Sequence, residues 1–253
     1  MNRSVTPGQG FFAVGMACLG ILSIMSGDFI VGRPPAWPAA LHLQPMIGYV
    51  AGTITLIAAL IIIFFFRTAG WASLLLAVFI LVLSVFRHIP AFTHDWLNAL
   101  KALALFGGAL IVGSSFFNDY YMLFAKVRVN IKTRRAFILL GSVLLAAFFI
   151  GAGYAHLKFP AFVRDFIPNY IPFHVFWTYF TAACLIAGGI GLIIPYTRTW
   201  AALFSGIMVL GWFLLLHIPR FLANTNDMGE RLGLCESLTF TGIFFVLYTH
   251  AKK

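Results

Sequence analysis

The amino-acid sequence predicts an all-α membrane protein, with eight transmembrane helices arranged as two parallel-repeat four-helix bundles. Three observations carry that prediction. The 253 residues are 61% apolar and only 9% charged, against roughly 45–50% and about 25% in a soluble domain. The apolar residues fall into long uninterrupted runs, and a segment of the chain recurs at a fixed spacing. Disordered, collagen-like and disulfide-scaffold classes are excluded by the same composition.

A hydrocarbon core of about 30 Å takes around 20 apolar residues per helix. Eight segments meet that length: 11–31, 45–66, 69–87, 97–117, 135–155, 174–195, 199–217 and 232–250. The first follows a polar leader with a single Arg and no cleavage-like site, so it is expected to be retained. Arg67-Thr68-Ala69-Gly70 must turn tightly between the second and third. Pro195-Tyr196-Thr197-Arg198 makes the corresponding break between the sixth and seventh, because Pro ends helices. Pro90 and Pro219 are expected to stop the third and seventh helices, placing His88 and His217 in the last helical turn. Membrane barrels need alternating ten-residue segments, and these runs do not alternate.

Charge sets the expected sidedness. With eight spans, one side holds both termini and ten basic residues, five of them in the stretch Asp119 to Arg135. The other side holds Arg33, Arg87, Lys101, Lys158, Arg164, Arg220 and Arg231, together with every acid except Asp119. The positive-inside rule then puts both termini and the basic stretch in the cytoplasm of a multi-pass protein of the bacterial inner membrane. The formal charge of +10 therefore reads as topology signalling rather than a nucleic-acid footprint. Cys18, Cys184 and Cys235 lie in apolar runs without metal or redox spacing and read as packing residues.

The repeat has an offset of 129 residues. Leu56-Ile57-Ala58 matches Leu185-Ile186-Ala187, Trp71-Ala72 matches Trp200-Ala201, and His88-Ile89-Pro90 matches His217-Ile218-Pro219. Across 45–92 against 174–221, 13 of 48 positions are identical without a gap. Apolar composition alone would repeat Leu and Ile but not Trp, His and Pro in register. The domains are accordingly a first repeat at 1–118, a basic linker at 119–134 and a second repeat at 135–253. A four-helix unit is even, so both halves enter the membrane in the same direction.

The second half carries Gly153-Tyr154-Ala155-His156, then Phe166-Ile167-Pro168-Asn169-Tyr170-Ile171-Pro172, then the Gly-Gly-x-Gly helix Ile186 to Ile194 with the turn Pro195-Tyr196-Thr197-Arg198. In this it resembles the DoxX-like (DoxX/DoxD-type) membrane family. The first half carries that family's last-helix pattern at Trp96-Leu97-Asn98-Ala99-Leu100-Lys101. The resemblance implies tandem four-helix units, and subunits of quinone-linked or thiol-protective redox complexes. Many relatives carry a Glu just before the Gly-Gly stretch, where this chain has Leu185.

Histidine is the candidate site chemistry. His42, His88, His94, His156, His174 and His217 all fall on the predicted outer side, and neutral imidazole partners quinone carbonyls and metals alike. His88 and His217 read either as helix C-caps or as ligand residues; the sequence leaves both open. Asp28 is an acid at the end of an apolar run, with His42 or His88 as candidate partner. Glu236 opens the last helix and reads either as a proton acceptor or as a partner for Arg220. Arg87 and Arg220 read as snorkelling interfacial groups. The cofactor-binding candidates are thus His88, His217, His42, His156, His174, Asp28 and Glu236. The aromatic, proline-rich stretch Lys158 to Phe173 and its shorter counterpart Pro34 to Pro38 read as caps over an apolar pocket.

No Walker loop, nucleophile elbow or HExxH pair is present, and neither a metal site nor a catalytic residue is assigned. The expected function is a subunit of a quinone- or redox-linked membrane complex, with quinone as cofactor and a site near the outer face between the repeats. The alternative is a non-catalytic assembly or scaffold subunit. Expected partners are the lipid bilayer and another membrane subunit, with no nucleic acid.

Overall fold

The computed structural model describes residues 5–37, 44–117 and 130–250. Among them, helix is the only regular structure. Nine α-helices run in the order α1 (Pro7–Ser26), α2 (Gln44–Phe64), α3 (Ala69–Phe116), α4 (Ile131–Lys158), α5 (Pro160–Phe166), α6 (His174–Ile193), α7 (Arg198–Trp212), α8 (Ile218–Ala223) and α9 (Met228–His250), with a π-helical turn at Phe213–His217 between α7 and α8. Seven helical stretches are long and apolar enough to cross a membrane, taking 198–223 as one.

Local sequence explains the ends. Thr6 and Gln9 form a reciprocal capping box with Pro7 in the first turn, and Gly27 stops α1 in the left-handed conformation at φ 62°. Hence α1 ends at Ser26, five residues short of the expected 31. Asn130 caps α4 by accepting from the Thr133 amide. Thr68 and Thr197, equivalent under the 129-residue offset, precede α3 and α7.

The expected third and fourth spans form one helical stretch of 48 residues with a non-helical residue at Asp95. A straight helix of that length would separate Ser73 from Ala109 by about 54 Å. Instead Ser73 Oγ donates to the Ala109 carbonyl at 2.8 Å, and Gly113 abuts Gly70 and Leu74. Thus α3 folds back on itself, with an antiparallel limb on each side of Asp95. Asp95 corresponds to Asn224 in the second half, where the chain also turns, between α8 and α9.

The same corner corrects the prediction about proline. Neither Pro90 nor Pro219 ends its helix. The chain stays helical to 94 in the first half and to Ala223 in the second. In the second half the π turn absorbs the defect, with the Ile218 amide reaching back to Phe213.

Packing crosses between the halves. α1 lies against α2 and α9, α4 against α6 and α3, and α9 against α7 and α3. Each half's first helix therefore contacts the other half's last one. Gly residues allow the closest approaches: a Cβ on Gly107 would sit 2.9 Å from Gly141 Cα. α9 is buried along most of its length and is the least apolar of the crossing helices. Its hydroxyls satisfy themselves on their own helix, Thr239 donating to the Cys235 carbonyl and Thr241 to Ser237.

Candidate functional site

Seven of the charged residues of the predicted outer side form three groups. In the first, Arg87 Nη1 donates to Asp28 Oδ1 at 2.7 Å and Nη2 to Oδ2 at 3.1 Å. The guanidinium also donates to the carbonyls of Phe29 and Pro35 and lies 4.5 Å from the Trp37 ring centroid, while Trp37 Nε1 donates to Asp28. Its side chain is 1% exposed. Arg87 is thus a buried clamp on the loop after α1, not a snorkelling group, and Asp28 pairs with Arg87 and Trp37 rather than with a histidine.

The second group repeats this arrangement in the other half. Arg220 pairs through two nitrogens with Glu230, donates to the Phe166 carbonyl and stacks on the Phe166 ring at 3.8 Å. Arg220 corresponds to Ala91, one helical turn beyond Arg87. Each half holds its aromatic loop with an arginine, placed one turn apart.

The third group joins the halves. Glu236 Oε2 accepts from Arg33 Nε at 3.0 Å and Lys101 Nζ at 3.2 Å. Arg33, held at φ 54° after Gly32 at φ 81°, also reaches the Gly229 carbonyl. Glu236 is therefore partnered by Arg33 and Lys101, while Arg220 belongs to Glu230. Arg33 and Lys101 are not among the site candidates that the sequence offers. Lys101, a lone cation within an apolar run, carried the signal; for Arg33 the chain offered none.

The duplicated histidines part company. His88 is buried beside Asp95, with Nδ1 3.6 Å from the carboxylate and neither ring nitrogen hydrogen-bonded among the described residues. His217 closes the π turn. Its buried Nδ1 has no hydrogen-bond partner among the described residues, and the ring packs on Gly233 of α9. Neither ring bonds a terminal carbonyl, so the capping reading fails for both. His174 is the first residue of α6, and His42 lies outside the described residues.

Beside the second group is a cavity of about 1150 Å³, lined from α4, α5, α6, α7 and the π turn. It exceeds the roughly 300–1,000 Å³ of ordinary small-molecule sites. His156, His217 and the α5 residues Phe162 and Phe166 line one end, and Ile194, Thr197 and Trp200 the other. Along α6 it runs from Trp177 to Ile194, about 25 Å of helix. Of the six candidate residues among those described, His156 and His217 line it. The stretch Lys158 to Phe173 does cap an apolar pocket, and α5 is the helical part of that cap.

Residues 145–226 match a family model described as a domain of unknown function (DUF8561). Every residue lining the cavity falls inside that stretch. No curated protein matches the chain. No solved structure matches it.

Proposed function

We propose that this chain is a membrane-embedded subunit of a quinone- or redox-linked complex, and that the α5-capped cavity of its second half is the ligand site. The supporting observation is the cavity itself: long and mostly apolar, with the imidazoles of His156 and His217 at one end. That division suits an isoprenoid quinone, whose ring carries the polar atoms and whose tail is pure hydrocarbon. The site then belongs to the second half, while the interface between the halves holds the Arg33–Glu236–Lys101 group.

The same reading includes eight membrane crossings, counting both limbs of α3, in two DoxX-like parallel repeats. The first-to-last helix contacts in both directions support a twofold relation about the membrane normal. Charge sidedness supports cytoplasmic termini in a bacterial inner membrane. A probe that labels cysteines from outside is expected to reach Thr93→Cys or Asn226→Cys and to miss Asn130→Cys; the reverse pattern overturns the orientation.

The ligand reading is tested at Gly211, a cavity-lining residue whose Cβ would meet nothing within 4 Å. Gly211→Leu places an apolar side chain on the cavity wall where an added Cβ has open space, and it removes a helix-interior Gly, a change worth up to about 1 kcal/mol in the helix's favour. Detergent-purified wild type is expected to retain quinone in its lipid extract, and the variant to lose it at unchanged or higher thermal stability. Wild type that is colourless, quinone-free and co-purifies with a second membrane protein would support the scaffold alternative.

A further inference from the structure

The seam between α1 and α9 brings two thiols together. Gly8 packs against the turn from Gly242 to Val246, where an added Cβ would sit 2.9 Å from the Val246 nitrogen. Gly15 packs against the turn from Cys235 to Thr239, where a Cβ would sit 2.8 Å from the Thr239 nitrogen and 2.9 Å from the Cys235 carbonyl oxygen. The two helices thus run antiparallel with their backbones in contact. One turn on from Gly15, the same register brings Cys18 opposite Cys235, and the two side chains share a hydrogen bond.

That approach suits a covalent link. A disulfide needs Cα atoms about 4.4–6.8 Å apart, closer than the usual spacing of about 8–10 Å between helix axes, and the glycine contacts supply the difference. Cys235 is buried, while Cys18 is partly exposed, so the pair is reached through Cys18. Cys18 stands eight residues before the end of α1 at Ser26, about 12 Å along the helix. Because α1 is long and apolar enough to cross a membrane, an oxidant that reaches Cys18 must dissolve in the bilayer.

We propose that Cys18 and Cys235 are a two-electron redox pair, oxidised by a quinone of the bilayer to a disulfide that ties the first helix of one half to the last helix of the other. As the S–S bond forms, the two thiols release two protons and two electrons. The quinone takes up both protons and both electrons and leaves as a hydroquinone. Its approach is from the lipid, so the reaction is independent of the cavity in the second half. Cys184 lines that cavity and takes no part.

The test counts free thiols in the detergent-purified full chain, using a maleimide-linked polyethylene glycol that adds one mobility step per thiol after denaturation. Reduced wild type is expected to show three steps, one for each cysteine. Incubation without oxygen with a fully ring-substituted decyl benzoquinone, which leaves a thiol no ring C–H to replace, should bring the count to one. The chain should still run as a monomer without reductant, and dithiothreitol should restore three. Cys184→Ser should fall from two steps to none, and Cys18→Ser should keep two throughout. A parallel sample receives copper–phenanthroline, which closes thiol pairs by proximity. Three free thiols after both oxidants, a loss that dithiothreitol does not reverse, or a disulfide that persists in Cys18→Ser overturns the pair. Closure by copper–phenanthroline alone overturns the quinone as its oxidant.

Discussion

The Tyr170 hydroxyl donates to the carbonyl of Leu215. Leu215 lies four residues before Pro219, so its carbonyl is the one that proline, lacking an amide proton, cannot serve. Tyr170 thus ties the aromatic cap to the π turn that positions His217. Tyr170→Phe should lower stability by about 0.5–1.5 kcal/mol, the usual net value of one such bond. Pro219→Ala restores a backbone donor, so the combined variant should lose less than the sum of the two. Chemical or thermal unfolding of the four proteins in one detergent checks the coupling; strictly additive losses would disprove it.

Arg87 holds Asp28, two loop carbonyls and the face of Trp37 together. Removing one partner of a buried pair typically costs about 3–5 kcal/mol. Asp28 is 35% exposed at its side chain, which moves the expectation for Arg87→Met to about 2–3 kcal/mol. The same variant should make the loop after α1 more susceptible to limited proteolysis. Unchanged stability and protease resistance would show that the clamp is idle.

Glu236 answers two cations at once, and its second oxygen has no partner among the described residues. Glu236→Leu strands Arg33 and Lys101, with an expected loss of about 3–5 kcal/mol. Adding Lys101→Met to it should recover part of that loss, because one stranded charge is removed. Thermal unfolding reads both. A double variant less stable than the single would contradict a charge-pairing role for Lys101.

The fold-back of α3 predicts that positions far apart in sequence can be bridged. In a chain whose three cysteines are replaced by Ser, Ser73→Cys with Ala109→Cys should join under a short bifunctional thiol reagent. Ser73→Cys with Ser84→Cys, three turns along one limb, should not. The readout is a mobility change after cleavage at a protease site placed between positions 73 and 109. Absence of the first crosslink would straighten α3.

Both mutations of the duplicated histidines now carry different expectations. His217→Ala should reduce retained quinone, because the ring lines the cavity. His88→Ala should alter stability alone, because its ring is buried against Asp95 and does not line the cavity. Equal loss of ligand in the two would return the site to the interface between the halves.

The sequence by itself determined that this is a helical membrane protein, where most of its apolar segments run, and that its two halves share a pattern through Trp, His and Pro. Those features are local or periodic: twenty apolar residues suffice for a crossing wherever they sit, and a repeat is visible without coordinates. Because loops alternate sides, it also led to the expectation that every acid but Asp119 and every histidine but His250 lies towards one end. Which residues meet there was decided only by tertiary structure. Asp28 found Arg87 across 59 positions of chain and Glu236 found Arg33 across 203, and no spacing rule reaches that far. The sequence treated His88 and His217 as equals, yet identical tripeptides face different surroundings once Leu216 stands where Arg87 does and Arg220 replaces Ala91. A side chain's role follows from the groups within a few ångströms of it, and those are supplied by helices from both halves packed side by side.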